Sequence, residues 1–287
     1  MVLEDLTTPE KAERNPWDML FLGAMYAAIA IFLAVWVFRE EASIVMILLT
    51  VIATIPLLYN TLKYEEEKDD IIVKEYILLK EHWKALSFFM MMFVGFVVAF
   101  SLAYIFLPTD LVKDIFSAQE NTIRNINSQI STQSVNSASV GGELFTQIFS
   151  NNVKVLLFCI FFSFFYGAGS IFILTWNASV ISAAIGSFFR TNISTYASNL
   201  GLEKVGGYFH IYGLSLLRYF IHGLPEIFGY FIGGLAGGII SVAVIKHDFG
   251  SRSFKHIILD SVDLVILGIA ILFVAALMEV YLTPVFF

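Results

Sequence analysis

The chain has 287 residues, of which 58% are hydrophobic and only 14% charged, with a mean hydropathy of +0.79. A soluble domain carries about 25% charged residues and 45–50% apolar ones, so a soluble globular fold is excluded, and the net charge of −7 argues against a nucleic-acid partner. Apolar runs of 18 or more residues indicate spanning helices; the ten-residue alternating segments of an outer-membrane barrel are absent. The expected fold class is an all-α, polytopic helical membrane protein with about six membrane elements, one or two of them broken or re-entrant. Cys159 is the only cysteine, which leaves no intramolecular disulfide to form.

The polar, acidic N-terminal tail lacks the basic n-region of a signal peptide, so the first helix is expected to stay in the mature protein. Residues 17–38 and 42–62 read as the first two spans; Pro56 in the second is tolerable as a kink. Residues 63–84 carry Lys63, Lys68, Lys74, Lys80 and Lys84 among acidic residues. This pattern predicts an amphipathic helix on the cytoplasmic membrane face, with its charges solvated. Residues 85–107 form the third span. In the stretch 108–150 only Lys113 and Arg124 are basic, which places it outside. Its apolar positions 111, 115, 123, 126 and 130 predict one amphipathic helix. A linker (131–142) and a short surface helix around 144–149 follow. The fourth span is expected at 153–176; residues 178–189 are too short to cross alone and read as a re-entrant half-helix or part of an irregular crossing. A basic loop at 246–256 is again cytoplasmic, and 264–281 is the last span. The expected localisation is the plasma membrane, with a cytoplasmic N-terminus and an external C-terminus. The domain division is 1–107, 108–150 and 151–287.

The unusual stretch is 208–245. It is apolar, yet carries His210, Arg218, His222 and Glu226, and ionisable groups cost roughly 2.5–3.5 kcal/mol each at the centre of a membrane helix. Arg218, His222 and Glu226 follow at i, i+4 and i+8, sharing a face about 80° wide on an unbroken helix. Gly223 and Pro225 predict a break there, with Glu226 in the first turn of a new helix. These residues fit a His–Glu or Arg–Glu pair between helices, or a substrate, ion or proton pathway. Two nitrogen or oxygen ligands are too few for a metal, no HExxH is present, and no cofactor motif is found. No serine elbow, Walker loop or intramembrane protease constellation can be assembled, so the expected class is non-enzymatic. Gly229, Gly233, Gly237 and Ser241 recur every four residues, a small-residue face suited to close helix packing within the chain or between subunits.

With these residues in place, the second half resembles the stage II sporulation protein M family over roughly residues 145–285. The matching features are Asn151 and Asn152 opening a span, the Gly167–Ala168–Gly169 patch, and Asn177 with Gly186 downstream. His222–Gly223 followed by Glu226 and a glycine-rich helix completes the set. Ala178 departs from the pattern, which has glycine there. The resemblance implies a membrane protein without established enzymatic activity that scaffolds or remodels the cell envelope with protein partners. A homo-oligomer in contact with membrane lipid is the expected form; the alternative is a transporter, channel or lipid scramblase with a pathway past Arg218, His222 and Glu226.

Overall fold

The computed structural model describes residues 8–71, 75–133, 140–163, 168–193, 202–246 and 251–286. Among these no strand occurs. Helices α1 (Pro9–Arg14) and α2 (Pro16–Val37) lead into a 3-10 turn at Arg39–Glu41. There follow α3 (Ala42–Ile71), α4 (Glu75–Phe106), α5 (Thr109–Gln133), α6 (Val140–Ser163) and α7 (Ala168–Asn192). The chain ends with α8 (Leu202–Lys246), α9 (Arg252–Leu277), a π-helical turn at Met278–Leu282 and α10 (Thr283–Phe286). Seven of these helices, α2, α3, α4, α6, α7, α8 and α9 with its π turn, are long and apolar enough to cross a membrane. The chain is a multi-pass, all-α membrane protein.

The sequence accounts for these elements locally. Pro16 opens α2 at its first turn, where a missing N–H costs nothing. Ser251 caps α9 by accepting the Phe254 N–H at 3.1 Å, meeting one of the free donors at a helix start. Inside α3, Thr50, Thr54 and Thr61 donate to the carbonyls of Met46, Thr50 and Leu57, each at 2.8 Å. Their hydroxyls are therefore satisfied without water, as a spanning segment requires. Large apolar side chains such as Phe21, Phe32, Trp36 and Phe106 point outward, as on a lipid-facing surface.

Helix α4 forms the centre of one half of the bundle, burying Phe88, Phe93, Phe96 and Phe100 and packing on α2 and α7. In the other half α8 packs against α6, α7 and α9. One end of the bundle, here the α1 face, carries α1 packed on α3 and α4. The other, the α5 face, carries the Arg39–Glu41 turn and α5. There Arg39 pairs with Asp114 at 2.9 Å, and Gln119 donates to the Ser43 carbonyl and the Ser179 hydroxyl, both at 3.2 Å.

Four expectations are corrected. Residues 63–84 are not a separate amphipathic helix: α3 runs on to Ile71 and α4 starts at Glu75. Glu65, Glu66, Lys68 and His82 are drawn inward because acid and base from α1, α3 and α4 meet there, while Lys63, Glu67 and Lys80 stay exposed. Second, the fourth span does not end at 176. α6 stops at Ser163 and α7 begins at Ala168, so 178–189 lies within a helix of 25 residues rather than a half-helix, and seven of the described helices, not six, are long and apolar enough to cross a membrane. Gly169 lets the start of α7 approach the end of α6, since a Cβ on it would collide with the Phe162 side chain; Gly167 lies outside the described residues. Third, 144–149 is no separate surface helix but the first part of α6. Fourth, α8 is unbroken, with Pro225 inside it. At 45 residues α8 is about 67 Å long; proline's fixed φ suits a helix, and one missing N–H is tolerated in a spanning segment.

Candidate functional site

The glycines of α8 set how closely its neighbours approach. A Cβ on Gly233 would collide with Leu156 of α6, and one on Gly237 would lie 2.5 Å from the Ile160 carbonyl oxygen. A Cβ on Gly229 would come within 2.9 Å of Leu272 and 3.3 Å of the Gly268 carbonyl oxygen, both on α9. Ser163 donates across the α6–α8 contact to the Gly234 carbonyl at 2.9 Å. The small-residue face thus meets helices of the same chain, and buried Ser241 continues it.

Around the start of this face the polar groups gather. Tyr230, almost fully buried, donates its hydroxyl to Glu226 Oε1 at 2.6 Å. The two are four residues apart on α8 and so share a helical face. The π turn Met278–Leu282 brings Glu279 within electrostatic reach of both Glu226 and Tyr230. Leu156 opposite Gly233 and Ile160 opposite Gly237 mean that α6 and α8 run parallel in this region. Asn152 lies one turn before Leu156 on α6. It is 3% exposed, and its amide nitrogen has no hydrogen-bond partner among the described residues.

The other sequence candidates are dispersed. Arg218 lies with its guanidinium 5.4 Å from the ring centre of Phe188 on α7, a cation–π contact. Among the described residues, Glu226 is given a tyrosine on its own helix as a hydrogen-bond partner. The His222 side chain lies outside the described residues. Gly223 is helical, and a Cβ there would meet nothing within 4 Å, so no close approach demands glycine. Asn151 is exposed. Asn177 sits within α7 and donates to the Ile173 carbonyl of its own helix at 2.8 Å, a back-bond rather than a turn.

Two clusters escaped the sequence reading. At the α1 face Lys68 bridges Glu13 of α1 and Glu65 of α3, at 2.7 Å each. His82 of α4 approaches the second oxygen of Glu65 at 2.6 Å. Glu65 is fully buried. Burial pushes the Glu13 carboxyl up from its ordinary range, against the pull of Lys68. The Glu65–Lys68 spacing of three was a visible hint; nothing in the sequence tied either to Glu13 or His82. At the α5 face Arg190 of α7 donates to the Ile105 carbonyl at 3.3 Å and to the Leu107 carbonyl. It also lies 5.5 Å from the Tyr104 ring centre. A cation at the end of α4 meets free carbonyls and the negative end of the helix dipole.

Chemically, the site offers two carboxylates and a phenol in a largely apolar setting. Among the described residues no three His, Cys, Asp or Glu side chains are gathered closely enough to hold a metal ion. Cavities of about 900, 380, 240 and 20 Å³ occur elsewhere in the bundle, and none of these four is lined by Arg218 or Glu226.

A family model described as stage II sporulation protein M matches residues 85–284. The match starts well before the stretch carrying the sequence motifs and takes in α4 and α5 as well. No curated protein and no solved structure matches the chain.

Proposed function

From membership of the stage II sporulation protein M family, to which this chain belongs, we propose that it is a non-enzymatic scaffold or remodeller of the cell envelope, acting as a homo-oligomer with envelope-protein partners. The observation that carries this reading is the use made of the polar groups in the bundle. Tyr230 holds Glu226, Arg190 holds the end of α4, and Arg218 lies on Phe188. The first contact satisfies a buried acid within α8, and the other two tie α7 to α4 and to α8; a bundle held in this way suits a platform on which other proteins assemble. Crosslinking in native membranes is expected to recover homo-oligomers and envelope proteins; recovery of monomer alone would sink the proposal.

A transporter, channel or lipid scramblase is the competing reading, with its pathway past Arg218, His222 and Glu226. The amide nitrogen of buried Asn152, without a hydrogen-bond partner among the described residues, favours it, because buried polar groups in spanning segments often mark such paths. Reconstituted liposomes separate the two. Ion flux or lipid scrambling above empty vesicles, abolished by Glu226→Gln, would establish the pathway and displace the scaffold.

A further inference from the structure

Beside the α2–α4 contact lies a crevice that the scaffold role does not use. The two helices touch backbone to backbone where Gly23 meets the Met92 carbonyl and Gly95 meets the Leu20 carbonyl. From there toward the α5 face they separate, and a crevice of about 900 Å³ opens between them. Its floor is made of Ala24, Ala28, Ala99 and Ala103, and Leu111 of α5 closes its far end. Every lining residue is apolar or aromatic. Atoms that line a void lose their dispersion contacts, so a space of this size within a bilayer is filled.

Its shape selects the occupant. Ala24 to Trp36 is about 12 helical steps, or ~18 Å, little more than half of a hydrocarbon core about 30 Å thick. A spanning helix from another protein, or from a second copy, needs a face of about 20 residues, and the glycine crossing blocks that path halfway. A hydrocarbon chain reaching in from one leaflet needs no more than the crevice gives. Phe32, Trp36 and Phe106 on its walls are 63%, 74% and 77% exposed, so the crevice is continuous with the lipid-facing surface of the bundle. Around its mouth stand Arg39, paired with Asp114, and the exposed Glu40, Glu41, Asp110 and Lys113. Charges of both signs with an acidic majority suit a headgroup carrying both an ammonium and a phosphate, and disfavour one that is only anionic.

We propose that this crevice seats a hydrocarbon chain of a zwitterionic phospholipid from the leaflet on the α5 face. The full chain, reconstituted in phosphatidylcholine vesicles containing a trace of phosphatidylcholine with a diazirine on one chain, is irradiated and its adducts mapped by mass spectrometry. Adducts are expected on Ala28, Ala99 and Leu102 at about five times the density found at Leu48 and Ile266, which face lipid elsewhere. The same probe with a phosphatidylglycerol headgroup is expected to label the crevice less. Ala28→Phe and Ala99→Phe, each judged folded by helical circular dichroism, put a ring on the crevice floor where the chain would lie and are expected to lower the density at Leu102 toward that of Leu48. Equal labelling of crevice and controls in the wild-type chain overturns the proposal without recourse to either variant. Labelling of Leu102 unchanged in a folded variant, equal labelling by the two headgroups, or crosslinks between copies through Ala28 would overturn it as well. None of these outcomes depends on whether the bundle acts as a scaffold.

Discussion

Replacing Gly237 with alanine puts a methyl group 2.5 Å from the Ile160 carbonyl oxygen and 2.9 Å from both Ile160 Cα and Ser163 Cβ. Two of these three atoms are backbone, so no rotamer change relieves the clash and α6 must move as a unit. Ordinary contact begins at 3.4 Å, so the shift is about 0.9 Å. That would stretch the Ser163–Gly234 hydrogen bond from 2.9 Å to about 3.8 Å, beyond bonding range. Overpacking costs roughly 1–3 kcal/mol, and an interhelical hydrogen bond in a membrane protein contributes about 0.6 kcal/mol. Alanine returns up to ~1 kcal/mol of helix propensity, leaving a net loss of about 1–3 kcal/mol. Gly213→Ala is the control: it lies on the same helix, and its Cβ would meet nothing within 4 Å, so a gain of about 0.5–1 kcal/mol is expected. Stability is read from circular dichroism as dodecyl sulfate is titrated into mixed micelles. Finding Gly237→Ala as stable as Gly213→Ala would refute the close α6–α8 contact.

The same titration checks three further changes. Lys68→Met leaves Glu13 and Glu65 buried without their shared cation and is expected to cost about 3–5 kcal/mol; a loss below ~1 kcal/mol would mean that water reaches the cluster. Asn152→Leu removes a buried amide nitrogen with no partner and is expected to be neutral or stabilising by about 1–2 kcal/mol. A clear loss there would point to a ligand or partner that the amide serves. Arg190→Ala frees the carbonyls at the end of α4 and is expected to cost about 1–2 kcal/mol, with increased amide exchange in the last turn of α4 as the local signature.

Much of the bundle was legible because hydropathy and turn residues agree at α2, α3 and α4. The start of α2, its exit near residue 38 and the end of α4 at Pro108 fall within a few residues of expectation. The α6–α7 turn was hidden because aromatic and aliphatic residues continue through it, so the apolar run shows no gap. The Gly167–Ala168–Gly169 patch stands at the boundary, but in sequence it reads as part of one span. The α3–α4 end was misread because charge in sequence was taken for charge in water. Glu65 and His82 are separated by 17 positions, and their contact depends on how two long helices come together. In the candidate site Glu226 was found as an oddity of composition. Its companions Tyr230 and Glu279 were overlooked, because a tyrosine in an aromatic-rich helix and an acid near the chain end look ordinary until α8 and α9 are paired.

The Ser163 hydroxyl has two carbonyls in reach, Cys159 of its own helix at 2.7 Å and Gly234 of α8 at 2.9 Å, but only one hydrogen to give. Gly234 lies 71 residues further on, so at ~5–20 residues per second it leaves the ribosome about 4–14 s after Ser163. During that interval α6 can sit in lipid with its hydroxyl turned onto Cys159. When α8 arrives the hydrogen can be shared or handed over at little gain. Biogenesis therefore does not depend on that bond to recruit α8: α6 waits as a self-sufficient helix, and the glycine surface decides where the late-arriving helix comes to rest.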